Sequence, residues 1–144
     1  MKKNMLLLLF FIGTIGYSQD WKTDFNLTKQ EAVSQNKPIL LVFSGSDWCA
    51  PCIKLDKNIW QSEEFKKYAT ENLILERADF PKKKQNQLEA QIKKQNQDLA
   101  EIYNKDGVFP LVVLLGKTGK VLGTTSFKNV SPSEYIDLLN SFLK

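Results

Sequence analysis

The sequence contains no histidine, and its only cysteines are Cys49 and Cys52. A mononuclear structural zinc site needs four ligands, usually cysteine or histidine, so such a site within one chain is nearly excluded. Covalent haem attachment needs a histidine directly after the second cysteine, and Ile53 stands there. Copper sites add histidine or methionine, and both methionines, Met1 and Met5, lie at the N-terminus. We therefore expect no metal or haem cofactor.

Only one long apolar run occurs in the chain, at residues 5–12. Lys2 and Lys3 precede this run, and small residues follow it up to Ser18. This three-part layout is typical of a secretory signal peptide. The run is too short to span a bilayer comfortably, although an N-terminal membrane anchor is the alternative. We expect a signal peptide at residues 1–18, a periplasmic or otherwise exported protein, and no stable membrane insertion after cleavage.

The chain that remains after removal of the leader, residues 19–144, has only a small net positive charge. The whole sequence has a net charge of +4, and removal of the leader takes two lysines with it. So small a charge predicts no nucleic-acid partner. Residues 19–144, about 125 residues, are enough for one domain with a real core. No exposed heptad pattern predicts an oligomer, so we expect a monomer.

Short apolar runs alternate with helical segments, which predicts an α/β fold. Helices between the first three strands imply crossovers and parallel pairing, whereas a four-residue turn at 117–120 predicts an antiparallel hairpin at one edge. The expected architecture is therefore a central mixed sheet of about four strands with a C-terminal hairpin. The expected strands cover residues 39–43, 73–79, 111–115 and 121–125.

Local signals place the helices. Thr28 and Glu31 fit a capping box that opens the first helix, and Ser62 with the two acids after it opens another. Ser131, followed by Pro-Ser-Glu, begins the last helix. Residues 82–104 are expected to form one long, mostly polar helix. Its expected buried stripe consists of Leu88, Ile92, Leu99 and Ile102.

The segment SDWCAPC, residues 46–52, leads from a buried strand into a helix that should begin near Cys49. Unpaired backbone N–H groups and the helix dipole at this position favour negative charge, which lowers the pKa of a thiol there and makes it a nucleophile. Cys52, one turn along, could resolve a mixed disulfide. Pro51 is tolerated in the first helical turn, and Trp48 would shield one side of the thiols while the Cys49 sulfur stays within reach of solvent. A purely structural disulfide is the alternative, but a disulfide that closes so short a loop constrains the unfolded chain little and adds little stability.

These residues carry a resemblance to a known family. WCAPC after the LLVF strand, with VFP at 108–110 before another apolar strand, resembles the thioredoxin-like superfamily. More closely, the chain is similar to exported single-domain thioredoxin-like proteins of bacteria and to the soluble domain of thiol:disulfide interchange proteins. The resemblance implies a three-layer α/β/α sandwich, with Cys49 as the attacking thiol and Cys52 as the resolving thiol. It also implies that Pro110 is a cis-proline. Trp48, Ala50, Pro51, Phe109 and Pro110 would then line the substrate-binding groove.

Two departures from the family pattern affect the site. A buried carboxylate often lies six residues before the first cysteine, where it moves a proton, but Phe43 stands there. A water molecule or another acid such as Asp79 would have to replace it. A kinking proline often follows the second cysteine by five residues. Lys57 stands at that position, so we expect this helix to run straighter.

The residues between the cysteines indicate the direction of the redox chemistry. Ala50 and Pro51 offer no donor to Cys49, and Asp47 would disfavour the thiolate. A less stabilised thiolate makes a more reducing couple, so we expect a protein-disulfide reductase that acts on disulfide-bearing exported proteins. Because the chain has no flavin or nicotinamide motif, a membrane thiol-electron donor must recharge it. The alternatives are an oxidase or isomerase with the same site, or a non-catalytic peptide-binding module.

Overall fold

The computed structural model describes residue 16 and residues 18–144 of the chain. The predicted signal peptide, apart from residues 16 and 18, lies outside the described residues. Five strands form a single sheet in the order β1-β3-β2-β4-β5. Among the residues described, no helix is both long enough and apolar enough to cross a membrane. The strands are β1 (Trp21–Lys22), β2 (Ile39–Ser44), β3 (Ile74–Asp79), β4 (Leu111–Leu115) and β5 (Val121–Thr125).

The strand β2 lies at the centre of the sheet, and all six of its residues are buried. It pairs in parallel with β3 and antiparallel with β4, and β4 pairs antiparallel with β5. This confirms the mixed sheet with its C-terminal hairpin, but the expected parallel pairing of the strand at residues 111–115 is wrong, because β4 runs antiparallel to β2. The two-residue strand β1, which pairs in parallel with β3, was not predicted, because two residues are too few to show a strand pattern.

The helices cover both faces of the sheet and complete a three-layer sandwich. One face packs against α2, α3 and α5, with Trp60 and Tyr135 among its fully buried side chains. The other face packs against α1 and α4, with Phe43 fully buried there. The helices are α1 (Phe25–Gln35), α2 (Ala50–Leu55), α3 (Glu63–Asn72), α4 (Ala90–Tyr103) and α5 (Pro132–Ser141). A π-helical turn (Asp56–Trp60) follows α2, and a 3-10 turn (Lys84–Asn86) precedes α4.

The prediction of one long helix over residues 82–104 is wrong. Only a 3-10 turn forms in its first part, and α4 begins at Ala90. The backbone N–H groups of Lys82 and Lys83 donate to the Asp47 carboxylate, and these bonds hold the first part in a non-helical path. The expected buried stripe is also wrong at Ile102, which is 62% exposed, although Leu99 is buried.

The predicted cap of the first helix is wrong as well. The cap of α1 lies four residues earlier than expected, at Asp24, because the Asp24 carboxylate accepts hydrogen bonds from the backbone N–H groups of Asn26 and Leu27. Thr28 therefore lies inside the helix, fully buried, and its hydroxyl donates to the carboxylate of Glu76 at 2.5 Å. In contrast, the predicted caps at Ser62 and Ser131 are confirmed.

We expect Asp24→Ala to lower the free energy of unfolding by about 1 kcal/mol, because two backbone N–H groups at the start of α1 lose their acceptor. Urea denaturation monitored by far-UV circular dichroism would measure the change. Ser34→Ala, an exposed position in the same helix, is the matched control and should leave stability unchanged within about 0.5 kcal/mol. Equal stability of the Asp24 variant and the control would contradict this assignment of the cap.

Candidate active site

Cys49 lies at the junction between the loop after β2 and helix α2. It is the N-cap residue of α2, with extended backbone, and Pro51 falls within the first helical turn. The Cys49 backbone N–H donates to the carbonyl of Gly45 at 2.9 Å, which closes the loop into the helix. Cys49 and Cys52 are joined by a disulfide, with 5.2 Å between their Cα atoms. The helix start expected near Cys49 is confirmed.

The sulfur of Cys49 acts as the helix cap. Its Sγ accepts a hydrogen bond from the Cys52 backbone N–H at 3.3 Å. A donor aimed at the sulfur stabilises a thiolate more than a thiol, and the start of the helix adds its partial positive charge. Once the disulfide is reduced, this geometry favours ionisation of Cys49.

The two cysteines are less accessible than the sequence predicted. Each is only 4% exposed, because the Cys49 sulfur points toward α2 and is bonded to Cys52 rather than open to solvent. Ala50 and Pro51, which separate them, are both exposed. The turn of the helix between the two cysteines is therefore open to contact with another chain.

Trp48 directly precedes Cys49, and its side chain is 38% exposed. Its indole Nε1–H donates to the carbonyl of Phe80 at 2.7 Å, and its ring lies 5.4 Å from the ring of Phe109 between centroids. The indole packs directly on Gly45, where a Cβ would come within 2.3 Å of the ring. Gly45 is thus required for the close approach of Trp48.

The segment before β4 forms the other side of the site. The Phe109–Pro110 peptide bond is cis, as the family resemblance implies. The antiparallel register pairs Phe43 with Leu111, so this bond lies beside the point where the chain leaves β2 for the cysteine loop. Pro110 is buried, and its carbonyl accepts from the Ser126 hydroxyl at 2.5 Å. Within the described part of the chain, the backbone of Phe109 makes no hydrogen bond.

Neither Phe43, at the position where the family often has a carboxylate, nor Asp79, the suggested substitute, is a free carboxylate. Phe43 is fully buried and stacks with Phe80 at 6.5 Å between ring centroids. Asp79, the suggested substitute, accepts from the backbone N–H and the hydroxyl of Ser46 with its two oxygens, at 2.9 and 2.5 Å. Asp79 therefore anchors the loop that precedes the cysteines.

Sequence reasoning missed a second anchor, at Asp47. Its carboxylate accepts hydrogen bonds from the backbone N–H groups of Lys82 and Lys83, both at 2.9 Å, and from the Asn86 side chain at 3.0 Å. The bond from Lys82 is the main reason that the pKa of Asp47 lies below its usual range. Residues 80–89, called here the β3–α4 loop, are thereby attached to the active site. No local signal reveals this attachment, because Pro81 precedes the predicted helix and is compatible with a helix start.

The helix that carries the cysteines is not α-helical throughout. At Asp56–Trp60 it continues as a π-helical turn, in which the Gln61 N–H donates to the Asp56 carbonyl at 2.9 Å. The wider turn keeps the consecutive residues Ile59 and Trp60 both buried. Lys57 lies within this turn, so the helix changes type without a proline, and the straighter course expected from Lys57 stays a prediction. Turns of the π type recur near functional sites.

The disulfide is the redox group that this site offers. Among residue 16 and residues 18–144, no group of three or more histidine, cysteine, aspartate or glutamate side chains could hold a metal ion. A disulfide that opens to two thiols exchanges two electrons with another disulfide and needs no further group for that step.

Comparison with known proteins supports the same chemistry. A family model described as thioredoxin-like matches residues 20–117. Disulfide bond reductase DsbH of Chlamydia pneumoniae is 38% identical over 115 residues, which cover 80% of this chain and 68% of that protein. Thioredoxin-related protein DsbJ of the same organism is 28% identical over 141 residues, but these cover only 40% of its length.

Solved structures agree in fold. A DsbH oxidoreductase superposes with a TM-score of 0.82 at 31% identity, covering 99% of this chain and 94% of the other. A disulphide isomerase from Xylella fastidiosa Temecula1 gives a TM-score of 0.61 at 19% identity, with 97% and 100% covered, a likeness in fold alone. With its Cys49–Cys52 disulfide at a helix start, the chain belongs to the thioredoxin-like family and is a thiol–disulfide oxidoreductase.

Proposed function

We propose that this protein reduces disulfides in exported proteins, with Cys49 as the attacking thiol and Cys52 as the resolving thiol. The observation that carries the proposal is the position of Cys49 at the N-cap of α2, where its sulfur accepts the Cys52 N–H. This asymmetry distinguishes the two sulfurs, because the sulfur that receives a donor at the helix start ionises more readily.

The reaction consists of two thiol–disulfide exchanges. The Cys49 thiolate attacks one sulfur of the substrate disulfide, which forms a mixed disulfide and expels the other substrate sulfur as a thiolate that takes up a proton. Cys52 then loses its proton and attacks Cys49 Sγ, which releases the second substrate thiol and closes the Cys49–Cys52 disulfide. Two electrons and two protons pass to the substrate, and the protein ends in the oxidised form of this structure.

The groove for the substrate chain would be formed by the residues on either side of the disulfide. Backbone N–H and C=O groups without partners tend to pair with another chain, which supports a substrate strand along the backbone of Phe109 beside Pro110. Trp48 borders this path, and its ring contacts Phe109. The exposed residues Ala50 and Pro51 would complete the contact surface.

The charges around the site support reduction over oxidation. The carboxylate of Asp47 lies two residues before Cys49, and its hydrogen bonds to the β3–α4 loop keep its pKa low, so that it remains charged. A negative charge here opposes a thiolate at Cys49; the Lys82 ammonium, 4.0 Å from the Trp48 ring centroid, offsets it in part, but the chain has no histidine that would stabilise the thiolate further. A less stabilised reduced form corresponds to a more negative potential, and a relative at 38% identity is a disulfide bond reductase.

We therefore expect a reduction potential near the thioredoxin value of about −270 mV rather than the value of about −120 mV found for a strong oxidant. Equilibration with glutathione buffers, read from the fraction of alkylated thiols, would measure it. A potential above about −180 mV would support the oxidase or isomerase alternative instead.

The proposal extends to where the protein works and what recharges it. Residues 1–18 would direct export, and residues 19–144 would act as a monomeric domain in the periplasm or an equivalent compartment. Each turnover leaves the protein oxidised, so a membrane thiol-electron donor must return two electrons to the Cys49–Cys52 pair.

Trapping would identify the substrates. Cys52→Ala should accumulate mixed disulfides through Cys49, since the second exchange cannot occur. After export in cells, these adducts should appear on non-reducing gels and disappear with a reductant. The control is the double variant Cys49→Ser/Cys52→Ala, which should form none. Adducts that form as abundantly with Cys49→Ala, which keeps Cys52, as with Cys52→Ala would contradict the assignment of Cys49 as the attacking thiol.

A further inference from the structure

We propose, on the basis of the reductase function above, that a cavity beside the disulfide binds a bulky aromatic side chain of the substrate, next to an acidic residue. The cavity has a volume of about 330 Å³. We call it the aromatic cleft, and its main lining residues are Trp48, Phe80, Leu88, Phe109, Lys82 and Lys93.

Two residues that line the aromatic cleft are direct neighbours in sequence of the reactive site. Trp48 precedes Cys49 directly, and Phe109 precedes the cis-proline Pro110, so both walls of the cleft also border the proposed path of the substrate strand. Side chains at alternate positions of an extended strand point to the same side. A substrate cysteine that faces Cys49 therefore directs the side chain two positions away toward the same surface of the protein.

The walls of the aromatic cleft are aromatic and apolar. The ring of Phe109 lies 5.4 Å from the rings of both Trp48 and Phe80, in edge-to-face contacts. Leu88 of the β3–α4 loop is half-buried and adds an aliphatic surface. Rings arranged in this way offer faces and edges to a further aromatic side chain, which gains both from burial and from ring contacts.

Hydrogen bonds hold the cleft open before any substrate arrives. The Trp48 indole is bonded to the Phe80 carbonyl, and the Asp47 carboxylate is bonded to the backbone of Lys82 and Lys83. The β3–α4 loop cannot close over the cleft without losing these bonds. A preformed pocket binds with a smaller entropic cost than one that must first be ordered.

The rim of the aromatic cleft is positively charged. Lys82 Nζ lies 4.0 Å above the Trp48 ring centroid, and Lys93, in α4, also lines the cleft. The carboxylate in the lining, that of Asp79, is bonded to Ser46 through both of its oxygens. These bonds come from a neutral serine and leave Asp79 charged, so the lining has two ammonium groups and one carboxylate, and the excess positive charge favours a substrate with an acidic residue beside the aromatic one.

Short peptides can test this specificity. Each peptide carries one cysteine, joined by a disulfide to a chromogenic thiol whose release gives the second-order rate constant for the pre-reduced protein. The set compares phenylalanine with alanine two positions from the cysteine, on either side, and glutamate with glutamine next to that position. The natural chain should react about tenfold faster with the phenylalanine peptide, and glutamate should add about threefold at low salt.

Variants connect these preferences to the cleft. Gln97→Trp, at an exposed lining position, should fill the cleft and remove the phenylalanine preference while the alanine peptide reacts at its former rate. Lys82→Gln/Lys93→Gln should remove only the glutamate preference. The control Lys67→Gln/Lys105→Gln removes the same charge at exposed positions outside the lining and should change neither preference.

The outcomes separate this proposal from the proposed function. Equal rates for all peptides, or a phenylalanine preference that survives Gln97→Trp, would overturn the aromatic cleft as a substrate site while leaving the reductase intact. Failure to reduce any peptide would instead overturn the reductase function. A concentration-dependent dimer that Gln97→Trp dissociates, seen by sedimentation, would assign the cleft to a second copy of the chain and also overturn the proposal.

Discussion

A Cys49→Ser variant is expected to lose the reduction of insulin disulfides by at least about 10³-fold, the scale seen when a catalytic nucleophile is removed. A serine hydroxyl keeps the side-chain shape but does not ionise near neutral pH, and it cannot form the mixed disulfide. The rate of insulin precipitation by pre-reduced protein, with no other reductant present, would measure the loss.

The matched control for this prediction is Cys52→Ser. It keeps the attacking thiol, so one substrate thiol should appear per protein molecule in a single burst, followed by a stable mixed disulfide. If both variants instead kept full affinity for partner proteins, and the natural chain reduced nothing, the chain would be a non-catalytic binding module. Equal bursts from Cys49→Ser and Cys52→Ser would show that the N-cap position gives neither sulfur an advantage.

The sheet and the cysteine pair were predictable because their signals are local. A continuous apolar run such as that of β2 can only be buried on both faces, and the structure buries all six residues. Two cysteines split by a proline at a strand–helix junction similarly indicated both the helix start and the chemistry. Pro110 was found through the family resemblance, since no local pattern marks one proline as cis.

The surroundings of the site were not predictable because they depend on residues far apart in sequence. Asp47 stood out only as a charge near Cys49, and nothing local shows that the backbone of Lys82 and Lys83 would bind it. The same contacts removed the first part of the predicted long helix, so one tertiary interaction explains both errors. Thr28 was likewise assigned as a cap because its buried partner, Glu76, is 48 residues away.

The protein is expected to lose stability as pH rises, because of Glu76. Its side chain is fully buried in β3, and burial is the main reason that its pKa rises from 4.5 to about 7. One oxygen accepts from Thr28, while Oε1 has no hydrogen-bond partner in the part of the chain that the structure describes. The hydrogen bond from Thr28 lowers this pKa in part, nearby Asp24 raises it, and Lys22 lowers it. The folded state therefore favours the protonated carboxyl.

Stability falls with rising pH because the folded and unfolded states bind different numbers of protons. Because the folded pKa of Glu76 exceeds the unfolded value, the folded state binds more protons between about pH 4.5 and pH 7. The stability due to the neutral carboxyl is complete below pH 4.5 and is lost as pH rises through 7, with an upper limit of about 3 kcal/mol. Urea denaturation of the oxidised protein at pH 5 and pH 8 would measure this loss.

Substitution isolates Glu76 from the other titrating groups. Glu76→Gln cannot ionise, so its free energy of unfolding should vary less between pH 5 and pH 8 than that of the natural chain, by up to about 3 kcal/mol. At pH 8 the variant should be the more stable protein, since an unpaired buried charge costs more than an amide with one free donor group. Glu71→Gln, at an exposed position, should keep the natural pH dependence. An unchanged pH dependence in Glu76→Gln would mean that Glu76 stays ionised in the folded protein, with water or a cation at Oε1 to stabilise the charge.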